Sequence, residues 1–401
     1  MKIGLIKEGK IPLDKRVPFS PKQLFQLQNY YDQKVAFKVF PSDIRCFSNE
    51  EYESLGIELS EDLSDCEVLM GVKEVPLLDL LADKTYFFFS HTIKKQSYNK
   101  TLLQVLLKKN IRLIDYEVLL MPEGKRAVAF GRWAGIVGAY NALWTYGKKS
   151  GLYKIKRAYQ CHGMKEILEE IQKVMLPPIK LVITGDGKVG SGALEIMNAL
   201  GIRKVEPEAY LQNYYEEPVF TQLTVSDYNQ RKTDGGFLLE DFFSKPEKYE
   251  GCFLPYTEVS DILITAAFWD PRAPQLFNIK DIGSPEFNIS VIADITCDLE
   301  GFVPITVRPS TIEDPVYDID RDTFEEIPAF GKQNSISVMA IDNLPCELPR
   351  DASEDFGMQL TKNVIPELLS KNSEMISRAT ISEGGALTQN FKYLQDFINE
   401  G

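Results

Sequence analysis

The stretch LVITGDGKVGSGALEIMNALG, residues 181–201, constrains the fold more than any other part of the sequence. A Val/Ile-rich run, typical of a buried strand, leads into Gly185, Gly187 and Gly190 in the pattern G-x-G-x-x-G. The residues that follow place apolar side chains at helical spacing, and Gly201 ends the predicted helix. The pattern predicts the strand, turn and helix of a dinucleotide-binding domain, in which the glycines make a tight turn, admit a pyrophosphate and let helix and strand pack closely. An ordinary glycine-rich turn is the alternative.

Residues of this loop are predicted to bind the cofactor, with the pyrophosphate at the helix N-terminus. The loop contacts are Gly185, Gly187, Lys188, Val189 and Gly190. About twenty residues further on, Glu206 or Glu208 is expected to bind the adenosine ribose hydroxyls, which favours NAD. The neighbouring Arg203 and Lys204 leave NADP open, so the predicted cofactor is NAD or NADP. Three further contacts are expected near later strand ends, at Ala267, Asp298 and Asn343.

Strands and helices alternate along most of the chain, which predicts an α/β fold with mostly parallel sheets. We expect two Rossmann-like domains with the active site in the cleft between them. Residues 1–130 with 350–401 are predicted to form a discontinuous substrate or catalytic domain, and residues 131–349 the dinucleotide-binding domain. The chain after DNLPCELPRDAS is predicted to be helical to its end. Residues 208–260, rich in Tyr, Phe and charge, are expected to be an elaboration between strands.

Composition excludes several functional classes. The net charge of −13 argues against a surface for nucleic acids or anionic membranes, which require clustered positive charge. No signal peptide or apolar stretch long enough to span a bilayer is recognisable, so a cytoplasmic location is expected. The six cysteines form no C-x-x-C pair and are expected to be small core residues rather than metal ligands. The predicted partners are small-molecule substrates, and a homo-oligomer is left open.

Ionisable side chains follow two buried strands in the first third of the chain. LMGVKEVP places Lys73 and Glu74 after one strand, and KTYFFFSH places His91, one of only two histidines, after the next. Ligands collect at the carboxyl ends of strands in open α/β sheets. An amine and an imidazole are therefore expected in one crevice as acid and base. A lysine that reaches solvent and a hydrogen-bonded histidine at a strand end are the structural alternatives.

Other charged residues are weaker candidates when each is considered singly. Arg16 and Arg126 could bind carboxylates in bidentate fashion, and Glu117 could hold a substrate ammonium group. Of Asp294 and Asp298 in VIADITCD, one is expected to line the cofactor crevice and the other to cap a helix or turn, and Asp342 lies on a strand exit toward the same crevice. His162 is expected to be exposed or to act as a cap.

The motifs FFFSHTIK, RLIDYE, VAFGRWAG, KVEPEAY, TIEDP and AIDNLPCELP together resemble those of the lysine-forming saccharopine dehydrogenases. They are most similar to the lysine–ketoglutarate reductase half of the bifunctional lysine-degrading enzyme, within the alanine dehydrogenase and transhydrogenase superfamily. The resemblance runs from about residue 3 to about residue 365. Where alanine dehydrogenases have D-x-x-x-D-Q-G-G, this chain reads DITCDLEG, which weakens an alanine-specific interpretation.

The resemblance implies an NAD(P)-dependent oxidoreductase that interconverts saccharopine with L-lysine and 2-oxoglutarate. By the same resemblance, Lys73 and His91 are the acid–base pair, Arg16 and Arg126 take carboxylates, and Glu74 and Glu117 lie near the amine. Two alternatives stay open: an alanine dehydrogenase-like enzyme using ammonia and pyruvate, and a non-catalytic NAD(P)-binding protein. The direction of the reaction is left open as well.

Overall fold

A computed structural model describes residues 1–9, 13–32 and 34–399. The chain divides into two compact units, Met1–Phe130 with Pro349–Gly401 and Gly131–Leu348. Each unit contains an eight-stranded sheet. The strands are β1 (Lys2–Leu5), β2 (Ala36–Val39), β3 (Glu58–Leu59), β4 (Val68–Met70), β5 (Thr85–Phe88), β6 (Arg112–Asp115), β7 (Lys180–Thr184), β8 (Arg203–Lys204), β9 (Val219–Leu223), β10 (Asn229–Arg231), β11 (Tyr249–Gly251), β12 (Ile262–Thr265), β13 (Val291–Asp294), β14 (Val316–Asp320), β15 (Glu326–Ile327), β16 (Ser335–Met339), β17 (Thr380–Glu383) and β18 (Ala386–Leu387).

Several of the α-helices begin where the sequence predicts a helix start. At the first, Pro21 is the first helical residue and the Gln23 side chain accepts a hydrogen bond from the Ser20 backbone N–H at 2.9 Å, which satisfies a donor at the helix start. Among the described residues no helix combines the length and apolarity that crossing a bilayer requires. The helices are α1 (Pro21–Tyr30), α2 (Asn49–Glu53), α3 (Asn99–Lys108), α4 (Gly131–Ser150), α5 (Met164–Ile171), α6 (Lys188–Ala199), α7 (Pro207–Gln212), α8 (Leu239–Ser244), α9 (Leu254–Val259), α10 (Pro349–Gln359), α11 (Ile365–Leu369), α12 (Glu374–Ala379) and α13 (Gln395–Asn399).

The first unit is built on a sheet with the order β18-β17-β6-β5-β4-β1-β2-β3. Strands β1 to β6 pair in parallel, as the continuous apolar runs predict for strands covered on both faces. All three residues of β4 are buried, and so are Tyr86, Phe87 and Phe88 of β5. Because these strands are parallel, their carboxyl ends meet at one edge of the sheet.

The prediction that the chain after DNLPCELPRDAS, residues 342–353, is helical to its end is wrong for residues 380–387. Here β17 and β18 form an antiparallel hairpin, and β17 pairs antiparallel with β6. Gly384 and Gly385 make the turn with φ of 61° and 74°, the left-handed conformation that two-residue hairpin turns require. The β-branched Thr380 and Ile381 are buried, so pairing and burial together favour a strand at the edge of β6.

The second unit is built on a sheet with the order β15-β14-β16-β13-β12-β7-β9-β8. The six strands from β8 to β16 in this order are parallel, and β14 and β15 are antiparallel additions. The segment expected to be an elaboration does contain a separate two-stranded antiparallel sheet, β10–β11, but it also supplies β9, an inner strand of the main sheet. In consequence β8, which follows α6 in sequence, is separated from β7 by β9.

Helices α4 and α6 pack closely because two glycines lie at their contact. A Cβ atom on Gly135 would lie 1.9 Å from the Val189 carbonyl oxygen, and one on Gly192 would lie 2.0 Å from the Arg132 carbonyl oxygen. Any side chain at either position would therefore push the two backbones apart. This contact fixes the helix that follows the glycine loop against the buried helix that opens the second unit.

Candidate active site

Charged side chains gather where β1, β4, β5 and β6 of the first unit end. Glu117 is the centre of this cluster. One of its carboxylate oxygens lies 3.0 Å from Nη2 of Arg126 and 3.7 Å from Nζ of Lys94, and the other lies 3.4 Å from Nδ1 of His91. On the opposite side of the imidazole, Nε2 of His91 lies 3.9 Å from a Glu74 oxygen. The imidazole therefore stands between two carboxylates, Glu74 and Glu117.

The charges around Glu117 keep it ionised. Burial alone would raise the pKa of this carboxyl group, but the hydrogen bond with His91 and the positive charges of Lys94 and Arg126 lower the pKa to about 2. The Glu117 side chain is only 9% exposed, so these interactions are weakly screened. A permanent carboxylate at this position can attract a substrate ammonium group.

The backbone that presents His91 is fixed by Asp115. Asp115 is fully buried and accepts hydrogen bonds from the Ser90 N–H at 3.1 Å, from the Ser90 hydroxyl, and from the Glu117 N–H at 2.7 Å. Burial raises the pKa of Asp115 to about 6. His91 itself has φ of 54°, an uncommon left-handed conformation for a non-glycine residue, and its ring stacks on Phe89 at 6.4 Å between centroids. Asp115 thereby ties together the exits of β5 and β6.

Glu8 fixes the backbone that presents Lys73, as Asp115 does for His91. Its two carboxylate oxygens accept hydrogen bonds from the backbone N–H groups of Val72, at 2.5 Å, and Lys73, at 2.9 Å. Burial and the nearby charge of Asp14 raise the pKa of Glu8 to about 8. The exit of β4 is thus held by a carboxyl group at the exit of β1, and the half-buried Lys73 and Glu74 follow directly.

The two predicted carboxylate-binding arginines differ in their surroundings. Arg16 is buried, and Asp14 accepts from its Nε at 3.0 Å and from its Nη2 at 2.6 Å. The Arg16 guanidinium also lies 4.2 Å from the centre of the Phe130 ring. Arg126 is 49% exposed and contacts Glu117. The structure therefore brings Glu74, His91, Glu117 and Arg126 together by direct contacts, whereas Arg16 belongs to a buried ion pair with Asp14.

The second unit contains the glycine loop in the predicted strand–turn–helix setting. Gly185 follows β7 with φ of 93°, and a Cβ atom there would lie 2.7 Å from the Ala266 carbonyl oxygen. A Cβ atom on Gly190 would lie 2.1 Å from the Gly185 carbonyl oxygen. At Gly187, by contrast, no heavy atom of the described residues lies within 4 Å of such an atom. Lys188 and Val189 open α6. Tight packing on two sides and open space at the middle glycine fit a pyrophosphate.

The other predicted cofactor contacts lie at several places along the sheet. Glu206 is exposed and precedes α7, following β8 rather than the strand beside β7. Beside β7, the end of β9 carries Gln222, whose Nε2 donates to the Gly185 carbonyl at 3.0 Å and whose Oε1 accepts from Lys204 Nζ at 3.0 Å. Ala267 follows Ala266, which packs on Gly185. A ribose contact from Glu206 stays a prediction, because the sheet places an amide and an ammonium group nearer to the loop.

The aspartates of VIADITCD have different environments. Asp294 is fully buried at the end of β13 and accepts hydrogen bonds from the hydroxyl groups of Thr265, Thr296 and Thr306 at 2.5 to 2.6 Å. It braces the loop that follows the strand. Asp298 is exposed on that loop. Asn343 is half-buried after β16, and its Nδ2 lies 2.8 Å from the Cys346 sulfur. His162 is exposed, as expected for a residue outside the site.

Sequence reasoning missed four residues of the first unit that hold the site together. These are Glu8, Asp14, Lys94 and Asp115. The rule that pointed to Lys73 and His91, an ionisable residue after a buried strand, applies equally to Glu8 after β1 and to Asp115 at the end of β6. Lys94 lies three residues after His91, on a short 3-10 helix (Thr92–Lys94).

Comparison with known proteins agrees with this architecture. The family model described as "Alanine dehydrogenase/PNT, N-terminal domain" matches residues 4–137. A solved L-alanine dehydrogenase superimposes with a TM-score of 0.69 at 17% identity, covering 99% of this chain and all of that one. A transhydrogenase from Sinorhizobium meliloti superimposes with a TM-score of 0.62 at 14% identity, covering 96% of this chain and all of that one. The fold is therefore the two-domain, Rossmann-like fold of alanine dehydrogenase.

Relatives in sequence are more specific. The chain is 31% identical to the mitochondrial alpha-aminoadipic semialdehyde synthase of Mus musculus, over 98% of this chain and 47% of the mouse protein. It is 26% identical to the saccharopine dehydrogenase (NAD(+), L-lysine-forming) of Yarrowia lipolytica, over 92% of both chains. The chain spans about half the length of the semialdehyde synthases that it matches.

The class of fold is that of the alanine dehydrogenases, and residues 4–137 match the alanine dehydrogenase/PNT N-terminal domain. In sequence the chain is a homologue of proteins named L-lysine-forming saccharopine dehydrogenase and alpha-aminoadipic semialdehyde synthase. The expected resemblance to saccharopine dehydrogenases and the expected fold class of two Rossmann-like domains are confirmed.

Proposed function

We propose that the protein is an NAD(P)-dependent oxidoreductase that interconverts saccharopine with L-lysine and 2-oxoglutarate. The observation that supports this most directly is the imidazole of His91 between the carboxylates of Glu74 and Glu117, with Arg126 and Lys94 on the same carboxylate. Carboxylates suit an amine substrate, and guanidinium and ammonium groups suit a dicarboxylic oxo acid. The sequence relatives named saccharopine dehydrogenase give the same indication.

The site offers complementary charges for both substrates. Glu74 and Glu117 would attract the ε-ammonium group of lysine and orient it once it is deprotonated. Arg126, half-exposed, is available to exchange its contact with Glu117 for a bidentate contact with a substrate carboxylate. Arg16 is proposed to bind the second carboxylate. Its guanidinium group would then have to contact both Asp14 and the substrate. When Arg126 turns to the oxo acid, Glu117 loses a positively charged partner. The ammonium group of the bound lysine would then replace that partner.

Lys73 and His91 are the proposed acid–base groups. The lysine amine attacks the keto carbon of 2-oxoglutarate and forms a carbinolamine, and a proton delivered to its hydroxyl group lets water leave and an imine form. His91, whose ring contacts Glu117, is proposed to deliver that proton, and Lys73 is proposed to accept the proton from the attacking amine. Asp115 and Glu8 fix the backbone beside these two groups, which keeps the proton transfers aligned.

The residues of the glycine loop fit a dinucleotide, as the open space at Gly187 indicates. Gly185, Gly187, Lys188, Val189 and Gly190 would hold its pyrophosphate, and Ala267, Asp298 and Asn343 would contact its other half. When bound, the nicotinamide supplies or accepts the hydride that interconverts the imine and the secondary amine of saccharopine. Lys204 and Gln222 near the loop suit NADP, whereas Glu206 suits NAD, so both nucleotides are proposed substrates.

A cofactor-oxidation assay tests the proposal. Purified protein is mixed with NADH or NADPH and either lysine with 2-oxoglutarate or ammonium with pyruvate, and the loss of reduced nicotinamide absorbance is followed. We expect turnover with lysine and 2-oxoglutarate and little with the second pair. The variants His91→Gln and Lys73→Met should turn over at least about tenfold more slowly, a loss of about 1.4 kcal/mol of transition-state stabilisation.

An exposed residue of the same unit provides a matched control. The variant Glu123→Gln changes an exposed carboxylate and should keep the wild-type rate. Turnover with ammonium and pyruvate instead would assign an amino-acid dehydrogenase activity. Binding of a reduced nucleotide without any turnover would contradict the enzymatic proposal.

A further inference from the structure

Phe268, in the segment that follows β12, is unusually exposed for an aromatic residue. Its side chain is 89% exposed, although it lies only three residues after a strand whose four residues are all buried. An apolar ring in water at a strand end contributes nothing to the core of the unit. The carboxyl end of a central parallel strand is, however, where ligands of α/β sheets bind.

The backbone around Phe268 is held on both sides. Before it, β12 pairs with β7 in the register Thr265↔Thr184, and a Cβ atom on Gly185 would lie 2.7 Å from the Ala266 carbonyl oxygen. The segment therefore runs in contact with the glycine loop. After it, Trp269 packs against the core of the second unit and donates from its indole N–H to the Pro274 carbonyl at 3.1 Å. Anchored residues thus flank an exposed ring.

The order of strands indicates which half of a dinucleotide Phe268 would meet. The glycine loop follows β7, with β9 and β8 on one side of it and β12, β13 and β16 on the other. The chain reverses direction across the sheet between β7 and β12, and dinucleotides lie across such a reversal. The adenosine half of a bound dinucleotide would lie toward the strands that follow the glycine-loop helix, here β8 and β9. The nicotinamide half would therefore lie toward β12.

We propose that the Phe268 ring covers the nicotinamide-ribose half of the bound dinucleotide and contributes to its affinity. This inference rests on the proposed NAD(P) binding by the second unit. An aromatic ring placed over a planar heterocycle or a ribose excludes water and gains stacking or apolar contact. The position of the ring is restrained, since its neighbours on both sides are anchored.

The test separates the two halves of the cofactor. Dissociation constants are measured by fluorescence titration or calorimetry for the reduced dinucleotide that the wild-type protein binds more tightly, and for ADP as a probe of the adenosine half. The variants are Phe268→Ala, Phe268→Trp, and Phe243→Ala as a matched control. Phe243 is also an exposed phenylalanine, at 61%, but it lies on α8 in the insertion between β10 and β11.

We expect Phe268→Ala to weaken dinucleotide binding about tenfold, with ADP affinity within about twofold of wild type. Phe268→Trp should restore most of the affinity, and Phe243→Ala should change neither constant. Unchanged dinucleotide affinity in Phe268→Ala would overturn the inference, and so would an equal loss for ADP, which would indicate a disturbed loop. A wild-type protein that binds neither nucleotide would instead overturn the proposed function itself.

Discussion

Glu8 is a buried carboxyl group that binds its proton more tightly in the folded protein than in the unfolded chain. It lies at the exit of β1. The charges of Asp14 and Arg16 affect the pKa of Glu8, and burial, together with the charge of Glu8, raises the pKa of the fully buried Tyr116. Burial and Asp14 raise its pKa from the ordinary 4.5 to about 8, against the opposing effect of two backbone N–H donors and Arg16. Such a group makes the stability of the first unit depend on pH.

The sign of that dependence follows from proton uptake. Between about pH 4.5 and pH 8 the folded protein keeps the Glu8 proton that the unfolded chain has lost, so this contribution to stability is complete below the lower value and is lost as pH rises through the higher one. We expect Glu8→Gln, which cannot ionise, to reduce the fall in unfolding free energy across this interval by on the order of 3 kcal/mol. Urea unfolding at about pH 5 and pH 8 measures it.

The exposed substitution Glu123→Gln should leave the same pH dependence intact. An identical slope in wild type and Glu8→Gln would show that another group is responsible. Glu117 has the opposite behaviour: because its pKa is lowered to about 2, the stability it contributes is present above its ordinary value and is lost only as pH falls toward 2.

At the scale of elements, glycines at two positions near the N-terminus of α6 have different tasks. Gly192 lies where α6 meets α4, and a Cβ atom there would be 2.0 Å from a backbone oxygen. Gly187 precedes the helix with φ of −77°, open to any residue, and no heavy atom of the described residues is near. The first glycine is required by packing, and the second leaves space where a pyrophosphate would bind.

We therefore expect the two alanine variants to fail in different assays. Gly192→Ala should destabilise the protein by about 1–3 kcal/mol because the helices must separate. Gly187→Ala should unfold within about 0.5 kcal/mol of wild type but bind NADH or NADPH at least about tenfold more weakly. Thermal unfolding and nucleotide titration of both variants check this. Equal loss of stability in the two variants would contradict the distinction.

The sequence predicts the glycine loop and the parallel order of the first strands because those signals are local. Gly185 to Gly201 lie within one strand, turn and helix, and residues 68–70 and 86–88 are continuous apolar runs. It does not predict β9, whose place between β7 and β8 depends on pairing across about forty residues of chain. The hairpin of β17 and β18 was predictable from Gly384 and Gly385, a turn signal that the expected helical tail overlooked.

In the candidate site, too, local sequence patterns predict some residues, whereas long-range contacts determine the others. The exits of β4 and β5 identify Lys73, Glu74 and His91 from local patterns. The contact of Glu117 with Arg126 depends on the turn and the short bridge between residues 120 and 126, and its contact with His91 depends on strand pairing. Distances of this kind follow only from the folded sheet. The roles of these side chains, like the expected cleft between the two domains, stay predictions.

At the scale of the molecule, the second unit is one continuous piece of chain. Gly131–Leu348 has its own sheet and its own buried core, which includes Val182, Leu263, Ile292 and Val338. We expect a protein comprising residues 131–348 to unfold cooperatively and to bind NADH or NADPH, because the core and glycine loop are complete within it. It should oxidise neither nucleotide, since Lys73 and His91 are absent. Circular dichroism melting and nucleotide titration test this, and a fragment without a thermal transition would contradict it.

The first unit, in contrast, is closed by a strand from the far end of the chain. During synthesis on the ribosome β6 emerges early, but its antiparallel neighbour β17 emerges only after the whole of residues 131–348. Until then β6 presents unpaired N–H and C=O groups, which are a template for pairing with other chains. The second unit, although it is synthesised later than β6, can therefore complete its folding before the first unit does. Until β17 is synthesised, the incomplete sheet of the first unit is exposed to aggregation with other chains.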